Sequence, residues 1–298
     1  MSNNFRAPSL SQVGFESTTT GYGANGTLTT GRLLSVNNPI ARALGAQPLD
    51  AEKSTNVSFG ITAQITDAFD VSLDAFRIDV DDRVTLSERI TGDALEAFIE
   101  NRFGVAGVQS ASFFTNAVDT RTRGAEFVAN WRRPLAGGTL VTTGAYSYAN
   151  TTIRKVRPTP RELTALGADN VLFGVEERNT LTDAAPRQRA FVSTRWEGDD
   201  WSLLGRVTRQ GSTTRVFNFG GGFEPRQTYA AKWQLDAEIE RRLTPSLSLA
   251  LGGYNLTDQY PDRSIPDISY AGNFPYDVIS PIGLNGAYYY GRVRYRFD

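Results

Sequence analysis

The feature that most constrains this chain is the near-unbroken alternation of apolar and polar residues toward its end. From position 229 onward, Tyr229, Ala231, Trp233, Leu235, Ala237 and Ile239 share one parity, while Lys232, Gln234, Asp236, Glu238 and Glu240 share the other. Side chains along a strand alternate between two faces, so this run predicts a strand with one apolar and one charged face. The final run repeats the pattern, with Tyr289, Val293, Tyr295 and Phe297 set against Arg292, Arg294 and Arg296. Whatever architecture holds these strands must give their two faces different surroundings.

Composition narrows the choices. The chain has 298 residues, no Cys and no His, and a formal net charge of −1. Disulfides, Cys/His metal sites and histidine general bases are therefore excluded. A near-neutral balance gives no reason to expect nucleic-acid binding. Gly, Thr, Ser, Tyr and Phe are abundant and amphipathic helical stretches are few, an all-β composition. No apolar run approaches the ~20 residues of a spanning helix, but a transmembrane barrel needs only ~10-residue alternating segments. The start, Met1-Ser-Asn-Asn-Phe-Arg-Ala-Pro8, lacks a charged segment followed by an apolar one. That leaves a chain that is not exported, or one whose natural start lies upstream.

Alternation predicts strands over residues 54–65, 70–86, 113–133, 138–152, 187–196, 201–216, 228–243, 246–255 and 286–297, preceded by a stub at 3–6. A phase slip near Ala75-Phe76 suggests a bulge. Residues 1–52 otherwise read as a long loop, rich in turn formers at 21–26 and 37–39. One helix is expected at 92–104, with Asp93 and Glu96 as a capping box, Leu95, Phe98, Ile99 and Arg102 on one face and Gly104 as its stop. It is read as a loop ornament, with a ligand lid as the lesser alternative. Residues 113–133 could instead form a hairpin turning at Asp119-Thr120. As one strand, they leave short turns (66–69, 134–138, 197–200, 243–245) alternating strictly with long loops (7–52, 87–111, 154–186, 218–227, 260–284). Short turns on one rim and long loops on the other are the transmembrane barrel pattern.

The aromatics agree with that pattern. Trp131, Trp196, Trp201 and Phe297 lie on apolar faces beside the short turns, where a membrane-interface girdle would be. In a soluble sandwich they would be core residues, but such domains seldom carry several unstructured loops of 25 residues or more. Three architectures stay open on the residues alone: part of a large membrane barrel, a small passive porin-like barrel, or a soluble β-sandwich binding module.

Local motifs bear on this choice. Gly253-Tyr-Asn-Leu-Thr-Asp-Gln-Tyr-Pro261 resembles the top of the penultimate strand of TonB-dependent outer-membrane receptors, and residues 288–297 resemble their closing strand, with Asp298 a departure after the aromatic. Asn4-Phe-Arg-Ala-Pro-Ser-Leu10 resembles that family's strand end before a large mid-barrel loop, Leu49-Asp-Ala-Glu-Lys-Ser-Thr-Asn56 the segment leading into the next strand, and Thr115-Asn-Ala-Val-Asp-Thr-Arg-Thr-Arg-Gly-Ala-Glu126 its long strand with an Asn…Gly-x-Glu pattern, all in the family's order. The resemblance implies an all-β, antiparallel up-and-down transmembrane β-barrel, here partial: about nine strands plus a stub of a wall of about 22 strands. Residues 1–298 would then be the C-terminal portion of the barrel, without the plug domain. A further implication is receptor function in TonB-energised uptake of a scarce nutrient such as a ferric siderophore, at the outer membrane of a Gram-negative bacterium, with no catalysis and no cofactor. The implied partners are outer-membrane lipid, the assembly machinery through the last strand, a small-molecule substrate, and TonB only through the missing N-terminal part.

No catalytic, cofactor or metal residue emerges, and the ligand contacts are unassigned. Arg189, Arg195, Arg206, Arg292, Arg294 and Arg296 on polar faces could steer an anionic chelate, but pairing with Glu126, Asp236, Glu238 and Glu240 is the expectation. Asp79, Asp81 and Asp82 lack the spacing of a calcium loop and are expected to face water. Gly220-Gly-Gly222 is expected to be a loop tip, Asp199-Asp200 a polar turn, and Tyr254, Tyr260, Tyr270 and Tyr276 either ligand-stacking or interface residues. Taken alone, the sheet would leave two open edges, unless the last strand pairs with the stub or with residues 54–65.

Overall fold

The computed structural model describes residues 1–22, 28–167, 170–220, 222–269 and 272–297. The expectations for residues 23–26, Gly221, Tyr270 and Asp298 fall outside them.

The strands are β1 (Ser2–Arg6), β2 (Ser17–Tyr22), β3 (Leu28–Leu34), β4 (Glu52–Thr66), β5 (Phe69–Leu86), β6 (Ile90–Thr91), β7 (Val108–Leu135), β8 (Gly138–Val156), β9 (Gln188–Glu197), β10 (Trp201–Gln210), β11 (Thr213–Val216), β12 (Arg226–Tyr229), β13 (Lys232–Arg242), β14 (Leu247–Tyr254) and β15 (Tyr288–Tyr295). The helices are α1 (Leu10–Gly14), α2 (Pro39–Ala43), α3 (Asp93–Phe103), α4 (Arg161–Thr164) and α5 (Val175–Thr182). One antiparallel wall runs in the order β1-β4-β5-β7-β8-β9-β10-β13-β14-β15. This is a partial up-and-down barrel: the sheet does not close. Among the described residues β15 pairs neither with β1 nor with β4, so the closure considered from sequence does not occur.

The turns explain why neighbours in sequence are neighbours in the sheet. Ala136-Gly137 joins β7 to β8 with φ of 50° and 74°, the left-handed pair of a tight hairpin whose twist matches its strands. Residues 67–68, 198–200 and 243–246 make the other short connections, all on the same rim. β7 is a single strand of 28 residues, and Asp119-Thr120 is only a register shift against β8, not a turn.

Pairing fixes the faces. Phe59, Ile61 and Ala63 sit beside Ala75, Leu73 and Val71 of β5, then Ala125, Phe127 and Ala129 of β7, then Tyr148, Tyr146 and Gly144 of β8. The row continues through Val192 and Trp196, Val207 and Leu203, Leu235 and Ile239, Leu251 and Leu249, to Val293. Many of these side chains are exposed, and among the described residues no second layer covers them. From Leu140 to Tyr148 the belt is nine residues tall, close to the ~9–11 residues of a tilted membrane strand. Arg133 lies 4.7 Å from the Trp131 ring centroid and Arg241 5.0 Å from that of Trp201, both on the short-turn rim. Such pairs suit an interface, with the ring in lipid and the guanidinium in water.

Four sequence expectations are corrected. Residues 7–52 hold a β2–β3 hairpin and two short helices rather than an unstructured loop. Residues 201–216 and 228–243 each break, and their tips pair separately as β11–β12. The Gly211 N–H still donates to the Gln188 carbonyl at 2.9 Å, so the β9–β10 ladder runs to Gly211 and the break comes just after it. The Asp93/Glu96 capping box is absent, because Gly92 is the N-cap with φ 109° and α3 has no side-chain cap; the Gly104 stop stands, with φ 67°. Finally, pairing of β4 with β5 is unbroken through Ala75-Phe76, and the irregularity lies at Val80–Val84, where Asp82 has φ 54°.

The apparent slip has a packing cause. Phe76 faces inward and its ring lies where a Cβ on Gly124 of β7 would be, with the Tyr148 carbonyl as close on the other side. A Gly124→Ala variant must displace an aromatic ring or a backbone. It is expected to cost about 1–3 kcal/mol, measured by urea unfolding of the lipid-inserted chain.

Candidate functional site: the loop layer and the cavity beneath it

The long connections pack together above the wall. Leu34, Ile40 and Leu44 from the first, Ile90, Leu95 and Ile99 from the second, Leu163, Leu172 and Phe173 from the third, and Val108, Phe113 and Val118 from the upper part of β7 form one buried cluster. The α3 helix, read as an ornament, lies at the heart of this cluster. Leu95 and Ile99 are fully buried, while Arg102 stands off over the Phe98 and Phe103 rings.

Buried asparagines pin the loops. An amide has two donors and an acceptor, so it can replace both halves of a missing ladder bond. The Asn116 amide accepts from the Asp50 N–H at 2.8 Å and donates to the Asp50 carbonyl at 3.0 Å and the Asp82 carbonyl at 2.6 Å. Asn170 does the same with Thr91, and Asn179 joins α5 to Thr214 and Val216 of β11. Asn255 holds the turn after β14 by two bonds to the Gln259 backbone. Asn116 and Asn255 both belong to the motifs that carried the family resemblance, and their role here is structural.

Below this layer, against the inner side of the wall, is a cavity of about 400 Å³. It is lined by Arg6, Glu52, Val80, Arg83, Val84, Thr85, Leu86, Phe114, Glu177 and Leu181. Arg6 grips Glu52 in a fork, Nε at 2.7 Å and Nη2 at 2.9 Å, and Glu52 also accepts from the Val84 N–H at 2.8 Å. Arg83 donates from Nη1 to the Thr120 hydroxyl at 3.2 Å, and the buried Thr85 hydroxyl has no hydrogen-bond partner among the described residues. The lining thus offers one largely neutralised ion pair, a second guanidinium, the Thr85 hydroxyl, the Glu177 carboxyl and apolar surface from Phe114 and Leu181. It can hold a polar solute by hydrogen bonds.

Beside the cavity, three carboxylates converge on α5. Glu88 is buried against Gly174, where any Cβ would meet its carboxylate. The Asn218 side-chain amide donates to Glu88 Oε1 at 2.7 Å, and the Asn218 N–H donates to Glu176 Oε2 at 2.9 Å. Burial pushes the Glu88 carboxyl up. Burial, then Glu176, then Glu88 push Glu177 from 4.5 up to about 7. The folded layer therefore holds the Glu177 proton more tightly than the unfolded chain does. Its attachment is strongest at low pH and weakens as pH rises from 4.5 to about 7. Amide exchange over Val175–Thr182, corrected for the intrinsic rate, is expected to report more frequent opening at about pH 8 than at about pH 5.5. Glu177→Gln is expected to remove most of that difference.

The residues singled out from sequence fall mainly outside this site. Arg292 pairs with Glu238 at 2.8 Å and Glu240 at 2.9 Å, and Arg294 approaches Glu240 at 3.8 Å, so cross-strand pairing holds there. Arg195 pairs with Glu197, whereas Arg206 lies over the Phe191 ring rather than on a carboxylate. Asp79, Asp81 and Asp82 do not simply face water: Arg77 and Arg121 hold Asp79, Arg154 holds Asp81, and Arg157 holds Asp82. Tyr254 stacks on Tyr288 and Tyr290, and Tyr260 on Tyr276. Sequence reasoning missed Arg6, Glu52, Arg83, Glu88 and Glu177. The one signal was the charged triplet Asp81-Asp82-Arg83 interrupting the alternation of β5.

The family model described as TonB dependent receptor-like, beta-barrel matches residues 2–256. Among solved structures, the copper transporter OprC superposes with a TM-score of 0.57 at 17% identity, over 99% of this chain and 36% of that one. The pyoverdine outer membrane receptor FpvA of Pseudomonas aeruginosa gives 0.53 at 12% identity, over 95% and 33%. The ferric enterobactin receptor PfeA of the same organism gives 0.51 at 20% identity, over 86% and 32%. This chain spans about a third of the length of each. No curated protein matches it in sequence.

Proposed function

The chain belongs to the TonB-dependent receptor-like β-barrel family, and on that premise we propose that it is the C-terminal part of the wall of an outer-membrane receptor in a Gram-negative bacterium. Residues 1–298 are then one unit of wall and extracellular loops. Its role is uptake of a scarce nutrient, such as a ferric siderophore, energised through TonB, with no bond made or broken in the cargo. The observation that carries this reading is the two-sided wall: a continuous uncovered apolar belt outside, a polar face inside, and a packed loop layer roofing a cavity on one rim. A soluble sandwich would bury the belt under a second sheet.

The cargo class is supported by the names of relatives that share the fold, two of them receptors for siderophores and one a copper transporter. The test is uptake in a receptor-deficient, iron-restricted cell carrying the whole reading frame from which this sequence comes. Saturable accumulation of a ferric siderophore is expected, abolished when TonB is deleted. Accumulation that persists without TonB would instead indicate a passive, porin-like barrel. Residues 1–298 on their own leave the β1 and β15 edges unpaired, and they are not expected to restore growth.

A further inference from the structure

Above the lipid-facing belt the outer side of the wall changes character within one step of the alternation. The row Phe59, Ala75, Ala125, Tyr148 is apolar, and the next outward row toward the long-loop rim is Val57, Arg77, Arg123, Asn150. Beyond it come Thr55, Asp79, Arg121 and Thr152, then Lys53, Asp81 and Arg154. Five cations thus share four adjacent strands with two carboxylates, starting about 7 Å above the belt.

The ion pairs leave the excess uncovered. Asp79 is shared by Arg77 and Arg121, and Asp81 is met by Arg154. The side chains of Arg123 and Lys53 are exposed and make no hydrogen bond or ion pair among the described residues. The inward positions at this height are neutral: Asn56 and Ser58, Phe76 and Ile78, Thr122 and Gly124, Ala149 and Thr151. The charge therefore belongs to the outside of the barrel and not to its lumen. Further round the wall, the outward positions at the top of β9, β13, β14 and β15 are Gln188, Trp233, Gly253 and Tyr289, and that of β10 is Arg209, a single cation lying over the Trp233 ring, so the cluster of cations belongs to β4, β5, β7 and β8.

We propose that this face binds the phosphorylated head groups of the lipid in the outer leaflet. A belt in hydrocarbon places Arg77, Arg121 and Arg123 at head-group depth, and guanidinium forks match phosphate oxygens. The inference rests on the membrane orientation given under Proposed function, and the experiment separates the two.

The whole receptor encoded by the reading frame from which this sequence comes is folded into phosphatidylcholine vesicles containing either bis-phosphorylated lipid A or its dephosphorylated form. Insertion is read by quenching of Trp131, Trp196 and Trp201 with brominated lipid, and lipid A by the amount retained on the purified chain. Retention of the phosphorylated form only, falling with added salt and by about tenfold in an Arg77→Gln/Arg123→Gln double variant, is expected. Arg133→Gln, on the opposite rim, is expected to retain it fully. Insertion with equal retention of both forms, or undiminished retention by the double variant, overturns the proposal and leaves the membrane reading standing. Failure of the tryptophans to be quenched overturns both.

Discussion

Replacing Phe113 with alanine is expected to open the loop layer while leaving the wall in place. Phe113 is fully buried in the cluster that joins the first three long connections to the upper end of β7. Removing a buried phenylalanine costs about 3–5 kcal/mol, the lost burial plus a cavity the surroundings fill only in part. The cluster draws on segments from Leu34 to Phe173. Each of these is held to the wall by few ladder bonds and a handful of asparagine amides, so it has little else to fall back on. The wall strands at belt height share no side chain with this cluster and keep their pairing. Limited proteolysis should therefore cut the connections around residues 35–50, 87–107 and 157–174 in the variant and not in the parent. Quenching of Trp131, Trp196 and Trp201 by brominated lipid should be unchanged. If loops and wall instead melt together at one urea concentration in both proteins, the layer is no separate unit and the description fails. A second consequence concerns the cavity: Phe114, Leu86 and Leu181 lose their support when the layer opens, so any solute held beside Arg83 should be released faster.

The wall was legible because its two faces differ in polarity along nearly every strand. Val57, Phe59 and Ile61 alternate with Ser58, Gly60 and Thr62 because one face of β4 belongs to the uncovered apolar belt and the other to the polar inner side, and the same period of two runs along most of the wall. The loop layer leaves no such trace. Leu34, Ile90, Leu95, Phe113 and Leu163 come together from more than a hundred positions of sequence with no period, which is why α3 was recognisable as a helix but not as part of a core. Phe76, Ile78 and Val80 misled for a related reason. Phe76 is apolar on the inward face because it fills the space above Gly124, and Val80 lines the cavity, so the alternation slipped although the backbone did not. The true irregularity, at Asp82, sat among charged residues where parity carries no signal. The cavity was invisible in advance because Arg6, Glu52, Arg83 and Glu177 are single residues at the ends of four elements, and only the pairing of β1 with β4 and the docking of α5 bring them together.

The largest test of orientation is an arginine placed in the middle of the belt. Val192 of β9 is exposed on the outward face between Gly144 of β8 and Val207 of β10. In a bilayer, Val192→Arg must carry a guanidinium into hydrocarbon, at a cost of about 2–4 kcal/mol near the midplane. Ser147→Arg changes the charge equally but on the inward face, between Glu126 and Arg189, where water and a carboxylate are at hand. Its expected effect is within about 0.5 kcal/mol, that of an ordinary wet surface position. Folding into lipid vesicles followed by urea titration would measure both. The comparison has opposite outcomes under the two architectures. If the wall were one sheet of a water-soluble protein with this same uncovered belt, Val192→Arg would put a charge on a sticky surface, cost little and improve solubility. A strong penalty at Val192 with none at Ser147 therefore requires hydrocarbon on the outward face, and no rearrangement of the loops can imitate it, since both positions lie below the loop layer on adjacent strands.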